Sequence, residues 1–261
     1  MPVLILGDCH AQWDKLIAAI AAGVSRHGAS TIIQVGDFGF FPMLFPRLEE
    51  RLSQRPFPVP VHVIEGNHDD HAWLWGQHAD GAFARWAAWN LIVHRRGEVA
   101  AIEGISTGFL GGALHADRNQ EGSTAKATTC WVMDREADRA AVAFDTASVD
   151  LVVTHSCPHS IGIGMRGAAE LFIAVERYIR ARGFDPGPFE DCGEPGLSRL
   201  YSRLAHRPRS WVYGHFHTHR VARVGTTEFR CVGSSDGSDG RSPSAGHLLD
   251  PELWTWEVVE L

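Results

Sequence analysis

The sequence has no CxxC pair, no apolar run long enough to span a bilayer, no internal repeat and no excess of basic charge. Each absence closes off a class of protein. The five cysteines, Cys9, Cys130, Cys157, Cys192 and Cys231, are scattered and odd in number, so neither a disulfide framework nor a zinc ribbon is expected, and a cytoplasmic, reducing setting fits. Without a run of about 18 apolar residues or a basic leader ahead of a hydrophobic core, neither a membrane span nor a signal peptide is expected. A net charge of -7 argues against stable binding of duplex nucleic acid, which needs a basic face. It leaves room for a small phosphorylated substrate, because a bound cation reverses the local sign. No low-complexity linker divides the chain, so one domain over residues 1–261 is the expectation, with the oligomeric state left open.

Histidine is plentiful, at 15, and where the histidines fall matters more than their number. The stretch Val61-His62-Val63-Ile64-Glu65-Gly66-Asn67-His68-Asp69-Asp70 is an apolar, β-rich run stopped by glycine and followed by polar groups. Alone, Gly-Asn-His-Asp also reads as a plain turn. The pattern repeats elsewhere. Val3–Leu6 ends in Gly7-Asp8-Cys9-His10, where a backbone that stays extended would put Asp8 and His10 on one face. Thr31–Val35 ends in Gly36-Asp37, Val149–Thr154 ends at His155, and Ser210–Tyr213 ends in Gly214-His215-Phe216-His217.

Between these runs the apolar spacing predicts helices. Trp13, Leu16, Ile17, Ile20 and Val24 form one, closed by Gly28; Leu44, Leu48 and Leu52 mark another. Helices are also expected over Met133–Phe144, capped by Asp134, and over Leu197–Ala205. Val99–Ile102 and Ile105–Leu110 read as a hairpin across Glu103-Gly104. The tail alternates strands and turns: Val221–Val224, Glu228–Val232, Leu248-Leu249 and Trp254–Val259. Strands alternating with helices imply an α/β protein with a largely parallel sheet, and the five ligand-bearing ends would meet at one edge of one sheet. Carboxylate, amide and imidazole without thiolate suit Mn, Fe or Zn.

Taken together, these five motifs resemble the calcineurin-like metallophosphoesterase superfamily, specifically its small bacterial and phage-type members, over most of the chain. The resemblance implies a four-layer αββα sandwich and two divalent or trivalent metal ions, manganese first, with Fe, Zn, Ni or Co as alternatives. It implies that Asp8, His10 and His217 bind one metal, that Asn67, His155 and His215 bind the other, and that Asp37 bridges them. A water or hydroxide between the metals is then the nucleophile, and His68 is the catalytic group facing the phosphate. The function implied is a phosphodiesterase on small nucleotides or short nucleic acid. The same metal core supports a phosphomonoesterase, and a non-catalytic scaffold of this fold is the alternative outside enzymes.

The sequence departs from that family at some places and joins a subset of it at another. Ala11 stands where Gly often follows the first His, which implies a tighter space beside the metal. Phe38-Gly39-Phe40-Phe41-Pro42 replaces the Val-Asp-Arg-Gly of protein phosphatases, removing their phosphate-gripping Arg and implying an apolar-edged pocket. Gly111-Gly112-Ala113 with Trp131 resembles the small phosphoesterases. Trp86 and Trp89 read as core, and Trp73 and Trp75 as core or as a wall against which a base stacks. Arg166, in the Gly-rich run 161–167, and His115 and Arg118, in the polar loop 113–129, are phosphate contacts or plain surface. His27, His62, His78, His94, His206 and His247 are read as surface or internally satisfied, and Cys9 and Cys157 as packing.

Overall fold

The computed structural model describes residues 1–114, 130–161, 176, 180–183, 185–188, 191–235 and 245–261. Two six-stranded sheets carry the fold. The first has the order β12-β11-β1-β2-β3-β4, from β1 (Val3–Leu6), β2 (Thr31–Gln34), β3 (Val61–Val63), β4 (Leu91–Val93), β11 (Ala245–Asp250) and β12 (Thr255–Glu260). The second has the order β5-β6-β7-β8-β10-β9, from β5 (Glu98–Ile102), β6 (Ile105–Leu110), β7 (Leu151–Thr154), β8 (Ser210–Tyr213), β9 (Arg220–Val224) and β10 (Thr227–Cys231). In each sheet the strands that bear the motifs run parallel: β1, β2 and β3 in one, β7 and β8 in the other.

The strand sequences explain the layering. In β1, Leu4 and Leu6 pack against α1 (Trp13–His27) and α2 (Phe45–Gln54), while Val3 and Ile5 face the other sheet. A strand apolar at every position is therefore covered on both faces. Val3, Ile5, Ile33, Val35 and Ile64 meet Phe109, Leu151, Val153 and Val212 in the layer between the sheets. α5 (Asp134–Thr146) and α6 (Pro195–Arg203) cover the far face of the second sheet through Ala137, Phe144, Leu197 and Leu200. The result is the αββα sandwich. The five ligand-bearing ends come from two sheets and not from one, because the β5–β6 hairpin starts a second sheet after β4.

Local chemistry follows the sequence in most places. Gly28 closes α1 in the left-handed conformation, and Glu103 and Gly104 both take positive φ in the two-residue hairpin turn. Two expectations need correction, and one strand went unread. Asp134 does not cap α5: Met133 occupies that position, and its N–H donates to the Glu136 carboxylate at 2.9 Å. β4 has only three residues, too few for a period to announce it. Phe38 and Phe40 are buried among Phe45 and Trp86 and so edge no pocket. α3 (His71–Ala79) and α4 (Ala82–Ala87) follow the central motif, and there Trp73 packs on Phe45 and Trp86 as core. His115, Arg118 and Arg166 lie outside the described residues. Among the described residues no helix is long and apolar enough to cross a membrane.

Candidate metal centre

The turn after each motif strand carries its polar residues inward. Asp8 and His155 are fully buried, and Asp37 and Asn67 nearly so, whereas His10, His68, His215 and His217 keep an open side. Three groups of ligand atoms converge within 4.8 Å: Asp8, His10 and His217; His10, Asp37 and His68; and Asp8, Asp37 and His155. Asp37 Oδ2 lies 3.4 Å from His10 Nε2 and 3.4 Å from His155 Nε2, between the two sets. Asn67 Oδ1 is 2.9 Å from His155 Nε2, and the His215 ring centroid is 5.1 Å from that of His155. His217 Nε2 is 3.1 Å from Asp8 Oδ2. The His68 imidazole sits at the rim, with Nε2 4.0 Å from Asp37 Oδ2. All eight residues singled out from the sequence are thus brought to one place.

The backbone bends sharply to do this. His10, Asp37, His215 and His217 all take positive φ, as does Ala11. Each such conformation costs an L-residue about 1–2 kcal/mol, and strain of this kind concentrates at functional sites. The chain after β1 therefore does not stay extended: Cys9 N and His10 N both turn to donate to the Asp37 carbonyl, at 3.2 and 2.9 Å. Ala11 differs from the family's Gly in conformational ease, since its φ of 61° suits Gly better. Gly66 is needed for closeness: a side-chain carbon there would fall 2.1 Å from Asp37 Oδ1.

Proton positions test whether cations fit. His155 Nδ1 donates to the Val35 carbonyl at 2.8 Å, so its Nε2 has no second proton unless the ring is charged. That Nε2 faces oxygens of Asn67, Asp37 and Asp8. Such a cage is occupied either by imidazolium or by an imidazole sharing a cation with the oxygens, and a backbone-anchored imidazole is the usual metal-ligand arrangement. The electrostatics agree. Burial works against charge on His155, yet Asp37 and Asp8 push it up to about 10. Burial would raise Asp8 and Asp37, but the imidazoles, His155 first, hold both below the usual carboxylate range. Two buried carboxylates require positive charge, and hard oxygen with imidazole nitrogen suits a divalent metal.

Several supporting residues escaped the sequence reading. Asp69 serves the backbone. Its carboxylate accepts four backbone N–H groups: Gly39 and Phe40 at 2.8 Å on one oxygen, Gly66 at 2.8 Å and Phe38 at 3.3 Å on the other. One side chain thereby clamps the Asp37 turn to the Asn67 turn. Burial, then Asp37, push Asp69 up to about 6 against the pull of those amides. Behind the same turn, Arg96 Nε meets Glu65 Oε1 at 2.6 Å, and Nη1 reaches Glu136 and the Trp131 carbonyl, each at 2.9 Å. Arg96 Nη2 can only donate, so His71 Nδ1 accepts it at 3.2 Å, and His71 Nε2 then donates to the Gly66 carbonyl at 2.7 Å. This accounts for Gly111: a side-chain carbon there would sit 2.5 Å from Glu65 Oε2. Glu194, pushed up to about 7 by burial, accepts from Leu114 N and Val132 N. Glu65 was the one signal within reach, as a carboxylate closing a buried strand.

Four of the remaining histidines pair off. His62 Nδ1 lies 2.8 Å from His94 Nε2, and His219 Nδ1 lies 3.0 Å from His247 Nε2, so His219 extends the metal motif in sequence but is engaged elsewhere. Cys9 Sγ donates to the Phe38 carbonyl, and Cys157 is buried, both as packing residues.

Comparison with known proteins bears on the fold and the family. No curated protein matches the sequence. Among solved structures, TT1561 of Thermus thermophilus is similar at 13% identity, with 99% of this chain and 98% of that chain covered and a TM-score of 0.60. Also similar are a phosphopantetheinyl hydrolase from Mycobacterium tuberculosis (16% identity, 92% of each chain, TM-score 0.48) and a novel archaeal phosphodiesterase (13% identity, 100% of each chain, TM-score 0.45). At these identities the likeness is one of fold, and TT1561 carries it. The family profile described as calcineurin-like phosphoesterase matches residues 1–219. With the two-sheet sandwich and the Asp/His clusters at its edge, the chain belongs to the calcineurin-like phosphoesterase family.

Proposed function

We propose that the protein is a dinuclear-metal phosphohydrolase that cleaves phosphodiesters of small nucleotides or short nucleic acid. The observation that carries this reading is the position of Asp37, whose carboxylate is shared by two Asp/His groups. Asp8, His10 and His217 would hold one metal and Asn67, His155 and His215 the other, with Asp37 shared between the two sets. When bound, the metals supply Lewis acidity toward phosphoryl oxygens and an activated nucleophile.

The side chains then divide the remaining work. His155 keeps its Nδ1 proton on the Val35 carbonyl, so its Nε2 is oriented toward the metals. His68 has its backbone N–H on Asp37 Oδ1 at 2.7 Å, which leaves its imidazole to face substrate at the open rim. From Nε2 it donates a proton to the departing ester oxygen, a contribution typically of about 10²–10⁴ in rate. Asp8 is committed on both oxygens, to His215 N and to the His217 ring, and so fixes two second-sheet histidines.

The test is turnover of bis(p-nitrophenyl) phosphate by Mn-loaded wild type, His68→Ala and Asp37→Asn, with metal content measured on each. We expect His68→Ala to keep both metals and lose at least about a hundredfold in kcat, and Asp37→Asn to lose metal together with activity. A wild type that holds two metals but leaves the diester intact, while cleaving p-nitrophenyl phosphate, moves the reading to a phosphomonoesterase. One that leaves both intact moves it to a non-catalytic scaffold.

A further inference from the structure

Between α1 and α2 lies a cavity of about 440 Å³. α1 follows β1 and α2 follows β2, so both helices begin at the sheet edge where the ligand turns lie. The cavity wall starts at Ala11, the residue after His10, and continues through Trp13 and Lys15 on α1 and Leu44, Arg47 and Arg51 on the opposite side. Its charge is opposite to that of the chain. Three cations line it against one carboxylate, Asp14, and that carboxylate is paired with Arg51, in a protein of net charge -7. A cationic recess opening one residue from a metal ligand adds nothing to cleavage of the bond at the metals. Its chemistry suits a second anion on the same substrate.

We propose that this cavity is a subsite for a second, non-scissile phosphate, and that the preferred substrates are phosphodiesters carrying another phosphate near the scissile one. Lys15 and Arg47 hold that phosphate, Arg51 is positioned by Asp14 at the cavity wall, and Trp13 and Leu44 supply the apolar side facing the sugar or linker. The proposal rests on the phosphodiesterase reading for its reaction, but the subsite itself can be read by binding alone.

The probes are thymidine 5′-(p-nitrophenyl phosphate) and the same ester bearing a 3′-phosphate, which share the leaving group and the scissile bond. Binding is read by calorimetry with thymidine 5′-monophosphate and thymidine 3′,5′-bisphosphate. Wild type is expected to prefer the 3′-phosphorylated member by at least about tenfold, both in kcat/KM and in Kd, as one charge-assisted contact would give. In Lys15→Met/Arg47→Met that ratio should fall to within about twofold, whereas Arg26→Met/Arg139→Met, which removes the same charge elsewhere, should keep it. No preference in wild type, a preference retained by Lys15→Met/Arg47→Met, or one lost equally in the control pair overturns the subsite. Turnover without preference leaves the phosphodiesterase reading standing and removes the subsite. Preferential bisphosphate binding, lost in Lys15→Met/Arg47→Met, with no turnover of either ester, does the reverse.

Discussion

The two sheets contribute to the candidate metal centre in different ways. The first sheet brings Asp8, His10, Asp37, Asn67 and His68 from three successive parallel strands, and its turns are bound to one another by Asp69. The second sheet brings His155, His215 and His217, and these are oriented by the first. His155 donates to the Val35 carbonyl, His215 N donates to Asp8, and the His217 ring bonds Asp8. One side is a self-braced frame; the other is docked onto it. The geometry of the cluster therefore depends on very few buried carboxylates in the frame, Asp8 among them.

The sharpest way to break the contrast is to remove a brace. Asp69→Ala leaves the Phe38, Gly39, Phe40 and Gly66 amides buried without their acceptor. A loss of about 3–5 kcal/mol in unfolding free energy is expected, by urea denaturation, together with loss of metal from both sites. Arg96→Met belongs to the same class, because it leaves Glu65 buried and charged without its partner. It should cost about 3–5 kcal/mol, and adding Glu65→Gln should recover part of that. If Arg96→Met stays as stable as wild type, the Asn67 turn is held by packing alone and the frame is not what braces it.

The frame was also the more legible half. Asp8, Asp37, Asn67 and His68 each follow a buried strand and a glycine, so a local pattern announces them. His155, His215 and His217 were readable because they too close apolar strands. Their dependence on Asp8 and the first sheet was not, because residues some 200 positions apart meet only through sheet packing. Positive φ at four candidate ligand positions was equally hidden, since His and Asp carry no mark of the left-handed conformation as glycine does. The second sheet was missed as a separate body because its motif strands, β7 and β8, are as apolar and as fully buried as β1 and β2. The aromatic run at 38–42 read as a pocket wall, and Phe38 and Phe40 proved to be core, since exposure is decided by α2 and α4 covering them.

A middle-sized effect is expected where the sheets join away from the metals. His62 on β3 pairs with His94, whose ring stacks on Phe109 of β6 with centroids 3.7 Å apart. Burial, then the neighbouring His94, push His62 down to about 4 from an ordinary 6.5. The unfolded chain therefore binds this proton more readily between those values. The stability His62 contributes as a neutral ring is present above pH 6.5 and is lost as pH falls toward 4. At pH 5 the loss is about 2 kcal/mol. Urea midpoints at pH 7.5 and pH 5.0 should show wild type falling further than His62→Gln by that amount. An equal fall in both would assign the acid sensitivity to the other histidines that burial holds neutral, His247 and His71.

The smallest effect tests the docked side. Ser235 follows β10 and is fully buried against the β1 turn. Its N–H donates to the Asp8 carbonyl at 2.8 Å, and its hydroxyl lies 3.0 Å from both the Gly7 and Asp8 carbonyls. Ser235→Ala removes one hydroxyl, yet neither carbonyl is orphaned. Asp8 keeps the Ser235 N–H, and Gly7 keeps Gln34 Nε2 at 3.2 Å. The expected loss is therefore only about 1 kcal/mol, with metal content unchanged. This is the reverse of Asp69, where one acceptor serves four donors and no other group can replace it. If Ser235→Ala proves as damaging as Asp69→Ala, redundancy does not protect the second sheet, and the two sides of the centre are braced alike.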